Sequence, residues 1–184
     1  REARTVPDYR GHRLVSLPAV DPSDVLDDVS LGAAIARRRS IRTFGDGPLP
    51  IAALARLLGC ACGVTAEVSV EGPDGDDLQT SYRAYPSPGP LYPIGVYPVV
   101  LDVDTLDPGI YYYVPERHGL RVVDTVDGDL PSRVASAISL DAETLDVTTA
   151  NVVLVLAAAF WRVLPKYGSR GYRYALQESG HIAQ

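Results

Sequence analysis

The segment 81–93, SYRAYPSPGPLYP, constrains this chain more than any other stretch. Its four prolines and one glycine exclude a regular helix, because proline has no amide donor and clashes with the preceding turn. They equally exclude a central strand, where each amide is needed for the ladder. Contacts other than a backbone ladder must therefore hold it. Helical patterns precede it and strand patterns follow it, so it marks the joint between two kinds of structure.

On the N-terminal side, Ser30 suits an N-cap and SLGAAIARRR places Leu31, Ala34 and Ile35 on one helical face. A second helix is expected from Pro50, since PIAALARLLGCA repeats Ile51, Leu54, Leu57 and Leu58 at helical spacing, with Gly59 or Gly63 as a stop. Residues 66–79 hold five acids and three glycine or proline residues and are read as a surface loop. The polar, proline-punctuated residues 1–29 show no sustained period, so 1–30 is taken as an N-terminal arm and 31–184 as the domain.

On the other side, IGVYPVVLDV reads as a buried strand, followed by a turn at LDPG, the strand IYYYV, a turn at PERHG and the strand LRVVD, an antiparallel meander. Residues 130–141 can form a short helix. NVVLVLAAAFWRV, 151–163, is uniformly apolar and is expected to be a central strand, with a helix after PKYGSRG. Helices before and after a mostly antiparallel sheet define an α+β domain.

A chain of 184 residues fits one domain, and its net charge of −6 supplies no field that would draw in nucleic acid. Cys60 and Cys62 are too few for a disulfide framework and lack the histidines of a zinc site, and no apolar run is long enough to span a bilayer. A cytoplasmic location is expected. The sequence contains no methionine and ends inside a helical pattern, so it is read as a fragment, a processed chain or an excised domain, incomplete on its C-terminal side.

Three clusters could carry chemistry. RRRSIRTF at 37–44 gathers four arginines and a serine where a helix gives way to extended chain. Guanidinium forks and a hydroxyl suit a phosphate group, although basic side chains at a helix C-terminus are also favoured simply by its dipole. In YPSPGPLYP at 85–93 the prolines stiffen the backbone and Gly89 permits close approach to a flat ligand, where the plainer reading is a connection before a strand. PKYGSRGYRY at 165–174 holds the sole lysine, Lys166, beside Tyr167. A partly desolvated lysine can abstract a proton and a tyrosine can orient or donate one, provided the backbone turns there, as Gly168 allows. The alternative is a polar strand exit with Lys166 in water. His12, His118 and His181 are scattered without metal spacing, His181 reads as structural, and the two cysteines read as core packing.

RRRSIRTF, PLPIAALARLLGCACGV, YPSPGPLYPIGVY, PGIYYYVPERHGLRVV and PKYGSRGYRYALQESGHIAQ occur in the order and spacing of one family. Over residues 31–184 the chain resembles the SagB-type, thiazole- or oxazole-forming, FMN-dependent dehydrogenases of the nitroreductase superfamily. The resemblance implies a nitroreductase-like fold that forms a homodimer with FMN at the subunit interface. By similarity, Arg38, Arg39, Ser40 and Arg42 contact the FMN phosphate and ribityl chain. Pro86, Ser87, Gly89 and Leu91 match the segment lining the flavin ring, and Gln184 lies in a helix that continues into a further cofactor-binding region. Lys166 and Tyr167 match a pair assigned to proton abstraction. The loop departs from the family's usual PSAGALYP in having Pro88 and Pro90, which removes two amide donors.

The activity so implied is oxidation of thiazoline or oxazoline rings in a peptide substrate, within a biosynthetic complex or assembly line. The alternatives are a general NAD(P)H-dependent nitro or quinone reductase, which needs no Lys-Tyr pair, and a flavin-free scaffold domain.

Overall fold

The computed structural model describes residues 9–21, 29–71, 77–126, 128–138 and 145–184. Helix α1, Leu31–Arg37, starts as its sequence predicts, with the Ser30 hydroxyl accepting the Ala33 amide at 3.2 Å. It buries none of its side chains, leaving Leu31 and Ile35 exposed. Helix α2, Ile51–Cys62, buries Leu54, Ala55, Leu58 and Cys62 along one stripe. Pro50 offers no side-chain cap, and the carboxylate of Asp104 accepts the Ile51 amide instead.

Strands β2, Val64–Glu71, and β3, Asp77–Arg83, form a separate antiparallel ribbon. This corrects the surface loop expected at 66–79, of which only 72–76 lies outside the described residues. The acid count hid an alternation, Val64, Ala66 and Val68 against Thr65, Glu67 and Ser69, which is the period of a strand whose polar face is wet.

The meander is present as expected: β4, Ile94–Val100, pairs with β5, Gly109–Val114, and β5 with β6, Gly119–Thr125. The N-terminal arm contributes β1, Leu14–Ser16, which joins β6 with Leu14 opposite Arg121. After helix α3, Leu130–Ala137, the chain crosses back as β7, Val152–Ala158, and pairs with β4 from Ile94 opposite Ala158 to Val100 opposite Val152. The order is β1-β6-β5-β4-β7, antiparallel throughout. Hence β7 is a border strand of the described sheet, and the expected central position is corrected. Uniform apolarity reports that both faces of a strand favour cover; it does not report hydrogen-bonded neighbours on both sides. In the single chain Leu154 and Val155 remain exposed.

One sheet face carries the main core, where Leu54 and Leu58 of α2 meet Ile94, Val96, Val100, Tyr111, Tyr113 and Leu120. Burying each such leucine is worth roughly 1.5–3 kcal/mol relative to exposure. By strand alternation Tyr97 and Tyr112 face the other way, and Tyr9 closes on both, with ring centroids 6.2 and 5.5 Å away. The last elements are α4, Leu164–Tyr167, and α5, Arg170–Ala183, joined through Gly168 at φ +55°. Gly171, Ala175, Glu178 and Ile182 form the buried face of α5.

Candidate functional site

The loop 84–93 connects the ribbon to the sheet and lies against α5. Prolines at 86, 88, 90 and 93 leave it few amides, and its backbone is tied to the rest of the fold at its ends, Ala84 to the Gly63 carbonyl at 3.0 Å and the Pro93 carbonyl to the Ala159 amide at 2.7 Å. The Tyr92 amide donates to Ser87 Oγ at 2.9 Å, and the Arg83 amide donates to Tyr92 Oη at 3.0 Å. The Arg83 guanidinium lies 4.4 Å from the Tyr92 ring centroid, donates to Tyr85 Oη at 3.1 Å and pairs with Glu116 at 2.9 Å. Tyr85 is buried, which pushes its phenol up to about 12 and keeps it protonated as an acceptor for that arginine. Two residues of the loop take the left-handed conformation, Gly89 at φ 60° and Tyr92 at φ 44°.

Gly89 is where two of the sequence clusters meet. A Cβ built on it would stand 2.5 Å from Lys166 Nζ and 2.8 Å from Tyr167 Oη. Both functional atoms therefore converge on one point of the loop, although adjacent residues on a strand would diverge. They converge because 164–167 is a helical turn, anchored by the Tyr167 and Gly168 amides on Val163 and Leu164 carbonyls at 2.9 and 2.8 Å. The Tyr167 ring is braced edge-on by Tyr174, 5.1 Å away, and lies 5.4 Å from Lys166 Nζ. Of the two settings weighed for the lysine, a partly desolvated pocket and water, the single chain has the second: Lys166 is exposed and Tyr167 half-buried.

Two cavities flank the loop. The larger, about 710 Å³, lies between α2 and α5 and includes Arg56, Cys60, Tyr85, Pro86, His181 and Gln184. The smaller, about 290 Å³, is formed by Pro86, Ser87, Pro88, Tyr174, Gln177, Glu178 and His181. His181, read as structural, is exposed and borders both, because it sits on the outer turn of α5 next to Ile182. The cysteines divide: Cys62 is core, its thiol pushed up to about 11 by burial, whereas Cys60 is exposed at the larger cavity.

Arg38, Arg39, Ser40 and Arg42 are exposed and border neither cavity. Arg39 Nη1 donates to the carbonyls of Ala36 and Arg38 at 2.9 and 2.8 Å, and Arg42 Nη1 to that of Ser40 at 3.4 Å. Arg39 thus satisfies the open end of α1, the plainer of its two readings, while leaving further N–H donors on each guanidinium. Ser87, Gly89 and Leu91 are half-buried in the loop, and Pro86 is exposed. Among the described residues no group of three or more histidines, cysteines, aspartates or glutamates is placed to hold a metal, and no helix is long and apolar enough to cross a membrane.

A family model, the nitroreductase family, matches residues 35–184. The chain belongs to that family. It is 32% identical over 86% of its length to MJ1384 of Methanocaldococcus jannaschii, a provisionally assigned nitroreductase, and spans 72% of that protein. It is 36% identical over 55% of its length to the microcin B17-processing protein McbC of Escherichia coli, of which it spans 38%. Among solved structures, a provisionally assigned nitroreductase of Anabaena variabilis superimposes with a TM-score of 0.59 at 29% identity, covering 70% of this chain and 24% of that one. A chain of the E. coli microcin synthetase McbBCD complex, solved with truncated pro-MccB17 bound, gives a TM-score of 0.58 at 25% identity over 91% of this chain and 61% of the other. The α+β fold expected from the sequence is the nitroreductase fold, and the family makes the chain an oxidoreductase by descent.

Glu178 is not among the residues that the sequence singled out. It is 1% exposed, and its Oε1 accepts the Ile94 amide at 3.3 Å. Burial pushes this carboxyl up, opposed by Ser87, by the Ile94 amide and by the charges of Arg83 and Arg162. The signal was present: a lone acid on the stripe Gly171, Ala175, Glu178, Ile182, otherwise made of small and apolar residues. Because its folded pKa lies above its unfolded one, Glu178 stabilises the fold below the ordinary carboxylate range, and this contribution is lost as pH rises through the raised value. Glu178→Gln has no such dependence. Its stability relative to the parent should therefore rise between pH 4 and pH 8 in urea unfolding, and a constant difference would refute the assignment.

Proposed function

We propose that this nitroreductase-family chain is an FMN-dependent dehydrogenase that oxidises thiazoline or oxazoline rings in a peptide to thiazoles or oxazoles. The observation that carries this reading is the convergence of Lys166 Nζ and Tyr167 Oη on Gly89, a base and a hydroxyl at one face of a stiff loop. A nitro or quinone reductase has no step that needs such a pair. The likeness to McbC and to a chain of the McbBCD complex supports the same reading and suggests a biosynthetic complex as the setting.

The residues present fit FMN. Arg38, Arg39, Ser40 and Arg42 offer exposed guanidinium forks and a hydroxyl for the phosphate and ribityl chain. Pro86, Ser87, Gly89 and Leu91 would line the ring, and only glycine at 89 avoids a clash with the Lys-Tyr pair. Gln184, at the rim of the larger cavity, would belong to the same region in a homodimer. When bound, FMN supplies the two-electron acceptor for ring oxidation. Lys166 takes the carbon-bound proton of the azoline, and Tyr167 orients the ring or relays that proton.

Uptake of FMN by the purified protein, followed by its visible absorbance, tests the cofactor. Arg38→Ala combined with Arg42→Ala should weaken that uptake by at least tenfold and flatten its dependence on salt, since each charge-assisted hydrogen bond contributes about 1.5–3 kcal/mol. Absence of flavin in the parent protein at saturating FMN would overturn the reading in favour of a scaffold domain. The 32% identity to MJ1384 favours the second reading, an NAD(P)H-dependent nitro or quinone reductase. Rapid bleaching of bound flavin by NADPH, with turnover of a nitroaromatic and none of an azoline peptide, would establish it.

A further inference from the structure

The loop 84–93 must hold Gly89 beneath two functional atoms, yet it can do little of this with its own backbone. Pro86, Pro88, Pro90 and Pro93 donate nothing, and Ser87 Oγ is needed to accept the Tyr92 amide. Backbone bonds tie its two ends, the Ala84 amide to the Gly63 carbonyl at 3.0 Å and the Ala159 amide to the Pro93 carbonyl at 2.7 Å, and the stretch next to Gly89 draws on an acceptor from outside the loop. Glu178 is that acceptor: it projects from the buried face of α5, takes the Ile94 amide on Oε1, and has the Ser87 hydroxyl against the same carboxyl. Its contacts lie on both sides of Gly89, at residues 87 and 94. Oε2 is buried with no partner of good hydrogen-bond geometry. A buried carboxyl left partly unsatisfied costs stability, and an apolar residue on this stripe would avoid that cost.

We propose that Glu178 is a positioning residue that clamps the two ends of the 87–94 loop to α5 and so fixes Gly89 under Lys166 and Tyr167. The consequence for the site rests on the flavin reading above; the clamp itself does not. One carboxyl oxygen accepts from Ile94 whether or not the acid is ionised, so an amide of the same shape can substitute for it. Ser87 receives one bond from Tyr92 and shares a cavity wall with the Glu178 carboxyl, which couples the positive-φ Tyr92 to the same anchor.

Hydrogen exchange of the protein tests this, with Glu178→Leu and Glu178→Gln compared at matched, fully folded temperature. In Glu178→Leu the amides of 87, 89, 91, 92 and 94 should exchange at least tenfold faster, while the remaining β4 amides from 95 onward and those of β5 keep their parental rates. Glu178→Gln should restore most of the protection. Equal loop exchange in the parent and a folded Glu178→Leu would overturn the clamp, as would faster exchange that Glu178→Gln fails to correct. If Glu178→Leu does not fold, Glu178→Gln together with Ser87→Ala decides: Ser87→Ala should speed exchange at Tyr92 and Gly89 and leave Ile94 protected, and unchanged rates there would overturn the proposal. FMN uptake measured on the same samples separates the two claims. A parent protein that takes up no FMN removes the flavin reading, and the exchange rates still judge the clamp.

Discussion

Lys166→Ala is expected to fold, to take up FMN with the affinity of the parent, and to lose about 10²- to 10⁴-fold in azoline oxidation, the usual contribution of a positioned acid–base group. Folding should survive because the side chain is exposed and removes nothing from the core. Flavin uptake should survive because the phosphate is assigned to the cluster at 38–42, to which Lys166 does not belong. The loss is specific to proton abstraction, so it should appear in kcat, measured by loss of two hydrogens from a thiazoline- or oxazoline-containing peptide. Tyr167→Phe should lose less, because it removes an orienting hydroxyl and not the base. Undiminished oxidation by Lys166→Ala would remove the residue from the chemistry, and with it the observation that favours a dehydrogenase over a reductase.

Gly89→Ala should be nearly as damaging, for a different reason. At φ 60° an L residue costs about 1–2 kcal/mol, and its methyl would stand 2.5 Å from Lys166 Nζ and 2.8 Å from Tyr167 Oη. The lysine tip can swing away, but the tyrosine ring is braced by Tyr174 and cannot move without the helix that carries it. Displacing the pair by about 1 Å is enough to lose roughly 10²-fold in rate. The expected result is a folded variant, a few degrees less stable in thermal unfolding, with oxidation reduced on that scale. Normal activity in Gly89→Ala would mean that the two atoms do not work at this point of the loop.

Much of the fold was legible because local physics and tertiary structure agree. Ser30 caps a helix, the stripe expected at Ile51, Leu54, Leu57 and Leu58 buries Leu54 and Leu58 but leaves Leu57 exposed, and the meander follows its turns. The failures have identifiable causes. At 66–79 the charge count outweighed an alternation of period two, and at 151–163 composition reported the faces of a strand while its neighbours were set by topology. The site was partly legible: Gly89, Lys166 and Tyr167 were singled out separately, but their meeting depends on a helical turn at 164–167 that no pattern in PKYG announces. Glu178 escaped because an acid on a helix is ordinarily a wet residue, and only the burial of its stripe shows otherwise.

The pairing of Leu14–Ser16 with residues 119–121 has a kinetic consequence. More than a hundred residues must be synthesised before β1 meets its neighbour, and β7, the partner of β4, is made last of the described strands. Loop closure of that length is slow relative to helix formation, so α2 can form early on the nascent chain while the sheet assembles last. During that interval the apolar segment 94–100 has no companion on one side, and this is where a chaperone would find its purchase.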